Sequence, residues 1–235
     1  MRLPLYISVP HAGTRVPPEV QDLCALRRPD ILADYDAGAD AIYSPLQDHA
    51  AGFSTTDIAR SLVDLNRAPD DLGENGVIKT HTCRNVPVYR TFPDEKLIRK
   101  LLACYYIPYH EKLSSGADTS SIKMGIDCHT MSVIGPSLAP DPGRKRPLVC
   151  ISNGDGTCPE EWINVLARCF ASVFKEKVSI NKPFRGGYIT RAHGVEMPWV
   201  QVEISKTRAY SNAFKRNCVL EVLRRFCHTV LPGCK

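Results

Sequence analysis

Short apolar runs that break off at an ionisable residue alternate along this sequence with stretches of helical spacing, and that alternation restricts the fold more than any other feature. The run LPLYISV at 3–9 stops at Pro10 and is followed by His11. An apolar, β-branched and aromatic run bounded by a proline predicts a strand. Further strands are expected at 62–66, 122–130, 148–152, 187–190 and 199–204. Between them, residues 94–113 carry Leu97, Leu101, Leu102 and Tyr105 at helical intervals. Residues 159–174 read as a helix with Pro159 in its first turn, and 213–229 as a last helix behind an Asn212 cap. This order predicts an α/β fold, a three-layer α/β/α sandwich around a mixed, mostly parallel sheet. No repeat or low-complexity linker divides residues 1–235, so one domain is expected.

Composition removes several classes. With 43% apolar and 23% charged residues and a net charge of +5, the chain is neither a disordered tail nor a collagen-like or coiled-coil repeat. No run approaches the ~18 apolar residues of a membrane span. Residues 1–10 hold one basic residue and no long apolar core, so no secretory signal is read there. These features predict a cytoplasmic protein with no membrane partner, a monomer or small homo-oligomer. Ten cysteines are scattered from Cys24 to Cys234 without a CxxC pair. They read as buried small hydrophobes or surface thiols rather than a disulfide framework. The one tight basic cluster, Arg144-Lys145-Arg146, follows a Pro- and Gly-rich turn and reads as an exposed loop, not a nucleic-acid site.

Four strand ends carry polar residues where apolar ones would serve packing better. They are Ser8-Val9-Pro10-His11, Asp64-Leu65-Asn66-Arg67, Asp127-Cys128-His129-Thr130 and Gln201-Val202-Glu203. Strand side chains alternate, so Asp127 and His129 share one face, as do Gln201 and Glu203. A covered sheet leaves no dry place for an unpaired carboxylate. Metal chemistry accounts for this economically. His11 and His129 form a nitrogen pair for Zn2+, or for another divalent ion, and the acidic run Asp34-Tyr35-Asp36-Ala37-Gly38-Ala39-Asp40 offers an oxygen. Asp127 would instead orient a ligand. Glu203 would then serve as the base on an attacking water, and Arg67 as a planar fork for a substrate carboxylate. No compact HExxH is present, and neither GxxxxGK[ST] nor GxSxG occurs.

Nine segments in order resemble the N-formylglutamate amidohydrolase family: SVPHAG at 8–13, DYDAGAD at 34–40, VDLNR at 63–67, VIKTHTC at 77–83, PVYR at 87–90, DCHTM at 127–131, SNGDGTCP at 152–159, PFRGGYITRAHG at 183–194 and PWVQVEIS at 198–205. That family is similar in turn to zinc carboxypeptidases and aspartoacylases, and the resemblance implies their fold. It also implies that His11 and His129 bind zinc, that Glu203 activates water, and that Asn66 and Arg67 bind the substrate carboxylate. The expected reaction is hydrolysis of N-formyl-L-glutamate to glutamate and formate, which the family places at the end of histidine breakdown. One departure stands out: carboxypeptidases use a compact HxxE, but Thr14 occupies that position here. The oxygen ligand must come from elsewhere, with Asp36 placed ahead of Asp34.

Other residues have two readings. His81 either lines the substrate pocket or is a loop histidine. His110, after an aromatic run, reads as a packing histidine. Arg185 precedes two glycines that would let backbone approach a ligand, and Asn153 lies in a turn from which it would reach substrate. Arg191 and His193 are expected on one strand face, as rim charges. Two other functions stay open: a hydrolase of other N-acyl amino acids or a carboxypeptidase-like peptidase on the same fold, and a non-catalytic metal-binding relative.

Overall fold

The computed structural model describes residues 2–136, 139–154 and 156–231. Its frame is a six-stranded sheet in the order β2-β1-β3-β6-β4-β5. The strands are β1 (Leu3–Val9), β2 (Ala50–Thr55), β3 (Met124–Met131), β4 (Val149–Ser152), β5 (Val178–Ile180) and β6 (Trp199–Ser205). All neighbouring pairs run parallel except β4 against β6. The sheet is therefore mixed and mostly parallel, as the alternation of strands and helices predicts.

The two faces are covered by different elements. On one face pack α2 (Ala39–Tyr43), α5 (Glu160–Phe174) and α7 (Asn212–Val230). Helix α5 turns Ile163, Leu166, Phe170 and Phe174 inward at helical spacing, and α7 answers with Val219, Val222, Leu223 and Phe226. Burying one such side chain contributes roughly 1.5–3 kcal/mol. The opposite face carries α3 (Glu95–Leu101), a π-helical turn at 102–106 and α4 (Ile107–Ala117), with Tyr106, Tyr109 and Leu113 buried. Alternation along β3 sends Met124, Ile126 and Cys128 into the first core and leaves Asp127 and His129 on the second face. Gln201 and Glu203 of β6 follow the same rule, and the register pairs Asp127 with Gln201 and His129 with Glu203. The outcome is a polar patch at the carboxyl ends of β1, β3 and β6.

Several expectations need correction. Residues 62–66 form turns, not a strand, because Asp64 Oδ1 accepts the Asn66 amide and folds the backbone on itself. Residues 187–190 open the short helix α6 (Tyr188–His193), so Arg191 and His193 are helical residues. The cap of α7 is Ser211, whose hydroxyl accepts from the Phe214 amide; Asn212 is already helical. Arg146 is buried, paired through two hydrogen bonds with Asp141 and lying over the Phe184 ring. Helix α1 (Arg28–Asp34), α2, β2 and β5 were not foreseen. The nine described cysteines are all free; Cys234 lies outside the described residues.

Candidate metal centre and active site

Three side chains from distant parts of the chain converge at the strand ends. His11 follows β1, Asp36 lies between α1 and α2, and His129 is on β3. One ligand atom of each lies within 4.8 Å of the others, and all three residues are buried. Local geometry explains the convergence. The Asp36 amide donates to the His11 carbonyl at 3.1 Å, which draws the acidic segment onto the exit of β1. Gly13 lies so close to the next segment that a Cβ would stand 2.3 Å from the Asp57 carbonyl carbon. Only glycine permits that approach, and it brings Arg60 beneath the site.

Both histidines are oriented in the same way. His129 points Nδ1 at Asp36 Oδ2 (3.0 Å) and Nε2 at Asp127 Oδ2 (2.8 Å). His11 points Nε2 at Asp64 Oδ1 (2.7 Å), while its Nδ1 is buried without a hydrogen-bond partner, 3.7 Å from Asp36 Oδ2. Two Nδ1 atoms and a carboxylate thus face one point, and each ring is held from behind by a second carboxylate. An orphaned buried nitrogen is costly in a finished core, and a divalent ion at that point would satisfy it. The donor set of two imidazoles and one carboxylate, with carboxylates behind the rings, fits zinc and its divalent neighbours.

Charge is balanced beneath this point. Arg60 lies 3.0 Å from Asp64 and 3.5 Å from Asp36, and buried Lys79 lies 2.9 Å from Asp64 and 3.7 Å from Asp34. Burial alone would raise these carboxyls. Lys79, His11 and Arg60 nevertheless hold Asp64 well below the usual range, and His11 and His129 do the same for Asp36. Asp34, opposed by burial but facing Lys79 and Arg60, is pulled down to about 2. It also accepts the Cys83 amide at 2.9 Å, so it is turned away from the His pair. Asp36, not Asp34, faces the histidines.

A cavity of about 370 Å³ opens over the three residues. Glu203 lines it beside its register partner His129, accepting from Gln201 Nε2 at 2.9 Å. Burial pushes the Glu203 carboxyl up to about 7, against the opposing pull of His129. Arg67 and Arg185 also line the cavity. Arg67 is braced by the Asn75 and Asn66 carbonyls at 2.7 and 3.0 Å. The Asn66 side chain is engaged on both ends: it donates to Asp127 and accepts the Ile189 amide at 2.8 Å. Gly187 packs directly on it, with room for no Cβ, since one would meet the amide at 2.4 Å. Gly187, the second glycine after Arg185, therefore lets backbone approach Asn66 itself.

Two expected site residues stand apart. His81 contacts Thr80 and pairs its backbone with Pro87, outside the cavity lining. Asn153 is tied to Asn181 and the Cys158 carbonyl, also outside the lining, and Asp155 of the same turn is outside the described residues. The structure adds Arg60, Lys79 and Lys206 to the cavity wall. Lys206 donates to the Tyr35 carbonyl at 2.7 Å. Its place one residue past β6 was the available signal.

Comparison with known proteins gives a consistent picture. The model of a protein family described as N-formylglutamate amidohydrolase matches residues 3–209. The N-formylglutamate deformylase of Pseudomonas aeruginosa is 28% identical over 205 residues, covering 82% of this chain and 76% of that one. That of Pseudomonas putida is 27% identical over 208 residues, covering 82% and 75%. The crystal structure of an N-formylglutamate amidohydrolase from Ralstonia eutropha superposes with a TM-score of 0.77 at 18% identity, covering 97% of this chain and 94% of the other, a likeness of fold.

Proposed function

Since the chain belongs to the N-formylglutamate amidohydrolase family, we propose that it is a zinc-dependent hydrolase cleaving the amide of N-formyl-L-glutamate to L-glutamate and formate, as one domain over residues 1–235 and in the cytoplasm. The observation that carries this reading is the pair of Nδ1 atoms and the Asp36 carboxylate facing one point, with Glu203, Arg67 and Arg185 lining the same cavity. His11, Asp36 and His129 would hold the metal, which when bound supplies Lewis-acid polarisation of the carbonyl and of water.

The chain's own residues do the rest. Glu203 takes a proton from the attacking water as its oxygen bonds to the formyl carbon. The C–N bond then breaks, and Glu203 returns the proton to the departing amine. Its site on a rigid strand next to His129 fixes the base relative to the metal ligands. Arg67 and Arg185 receive the substrate carboxylates and so place the scissile bond. Asn66 is already committed to Asp127 and Ile189, and it contributes by holding the segment that carries Arg67.

The test is formate release from N-formyl-L-glutamate by purified protein, with metal content measured on the same sample. Activity is expected to vanish on chelation and return with zinc. Metal-loaded protein that releases no formate overturns the substrate; protein that binds no divalent metal overturns the site.

A further inference from the structure

Two histidines outside the metal centre form a continuous hydrogen-bonded array behind the substrate-facing segment. His110 of α4 points Nε2 at the Leu65 carbonyl (3.0 Å) and Nδ1 at His193 Nε2 (2.8 Å). His193, at the end of α6, points Nδ1 at Glu196 Oε2 (2.8 Å), and Ser114 donates to the other Glu196 oxygen at 2.7 Å. The two rings are nearly parallel, at 14° with centroids 5.1 Å apart, and meet edge to edge through the hydrogen bond between them. Acceptors at both ends, a carbonyl and a carboxylate, require outward N–H donors on both rings. A hydrogen bond between the two facing ring nitrogens then needs one proton between them. Burial, with the neighbouring His193, pushes His110 down to about 4, so its ring is neutral near pH 7 and offers one donor and one acceptor.

The array acts on one short segment from two sides. Through α4 it grips the Leu65 carbonyl, while Tyr106, stacked on His110 at 4.2 Å, donates to the Arg67 carbonyl at 2.8 Å. Through α6 it anchors the helix whose first turn gives the Ile189 amide to Asn66. We propose that His110 and His193 are positioning residues that clamp Leu65-Asn66-Arg67 between α4 and α6 and so set the placement of Arg67 for a substrate carboxylate. The assignment rests on the reading of Arg67 given above. A packing role would need only the ring shapes; an ordered donor array ending on a backbone carbonyl beside Asn66 places direction as well as volume.

The test compares His110→Phe, which keeps the ring and removes both hydrogen bonds, with His110→Gln, whose carboxamide offers one donor and one acceptor as neutral His110 does. In His110→Phe, zinc content is expected to stay unchanged and the Ile189 amide to exchange faster. KM is expected to rise about tenfold with kcat within about threefold, because ground-state and transition-state binding are lost together. His110→Gln restores most of that KM. If His110→Phe fails to fold, Glu196→Gln at the exposed outer end is the second variant, with an expected KM increase of about threefold. Folded His110→Phe with unchanged KM and unchanged Ile189 exchange overturns the proposal, as does a Gln variant no better than Phe; for Glu196→Gln, unchanged KM does so. Wild-type protein inactive on N-formyl-L-glutamate counts against the substrate alone, and amide exchange, which needs no substrate, then decides the clamp.

Discussion

Asp64 Oδ1 holds Nε2 of His11 at 2.7 Å, and this contact decides which nitrogen of His11 faces Asp36. Asp127 does the same for His129 at 2.8 Å. The ring nitrogens turned toward the common point are therefore set by carboxylates that do not themselves face it.

Asp64→Asn is expected to weaken zinc binding by about 10–100-fold, the usual cost of losing a carboxylate behind a ligating histidine. Competition with a chromophoric chelator measures this directly. Affinity equal to wild type would show that His11 is oriented without Asp64.

Glu203→Gln is expected to keep its zinc and lose about 10²–10⁴ in kcat, the range of a general acid–base group. His129→Ala is expected to lose the metal itself. Paired metal analysis and kinetics separate the two, and near-normal turnover in Glu203→Gln would falsify the assigned base.

The pH profile follows from the same carboxyl. Burial raises Glu203 to about 7 in the metal-free chain, and a bound cation pulls it down. The base works only when ionised, so kcat/KM is expected to rise with pH through a limb at or below pH 7. Glu203→Gln should flatten that limb. A limb that survives the substitution belongs to another group.

Lys79→Met removes a buried ammonium that faces Asp64 and Asp34 and leaves both carboxylates under-compensated. Denaturant unfolding is expected to show a loss of about 3–5 kcal/mol at neutral pH. In the wild type, Asp34, held near 2 against an ordinary 3.8, adds stability above pH 3.8 that fades as pH falls through 2. In Lys79→Met the Asp34 carboxyl rises, so the stability difference between the two proteins is expected to shrink on acidification. A constant difference across that window would show that Lys79 acts by packing alone.

The sequence by itself determined the sheet's centre and the chemistry set on it. Alternation in MGIDCHTM and WVQVEIS puts Asp127, His129, Gln201 and Glu203 on one face because a strand has a fixed period of two. The helices α5 and α7 were legible for the matching reason, an apolar stripe at helical spacing. The strands β2 and β5 were not: AAGFST lacks alternation, and VSI is three residues on a sheet edge. The segment LVDLN misled because alternation cannot reveal that Asp64 will cap its own turn. Tertiary structure supplied the reason that Asp36 rather than Asp34 faces the histidine pair already named from the sequence. Asp34 and Asp36 are equivalent in composition, and what separates them is the end of α1. Asp34 remains on the helix and turns to Lys79 and Cys83, whereas Asp36 leaves it and is drawn by its amide to His11. Likewise, only folding could show that His110 and His193, 83 residues apart, come within 2.8 Å of each other behind the site. Local pattern fixes which face a side chain takes; which charges meet there depends on contacts between segments that no local period encodes.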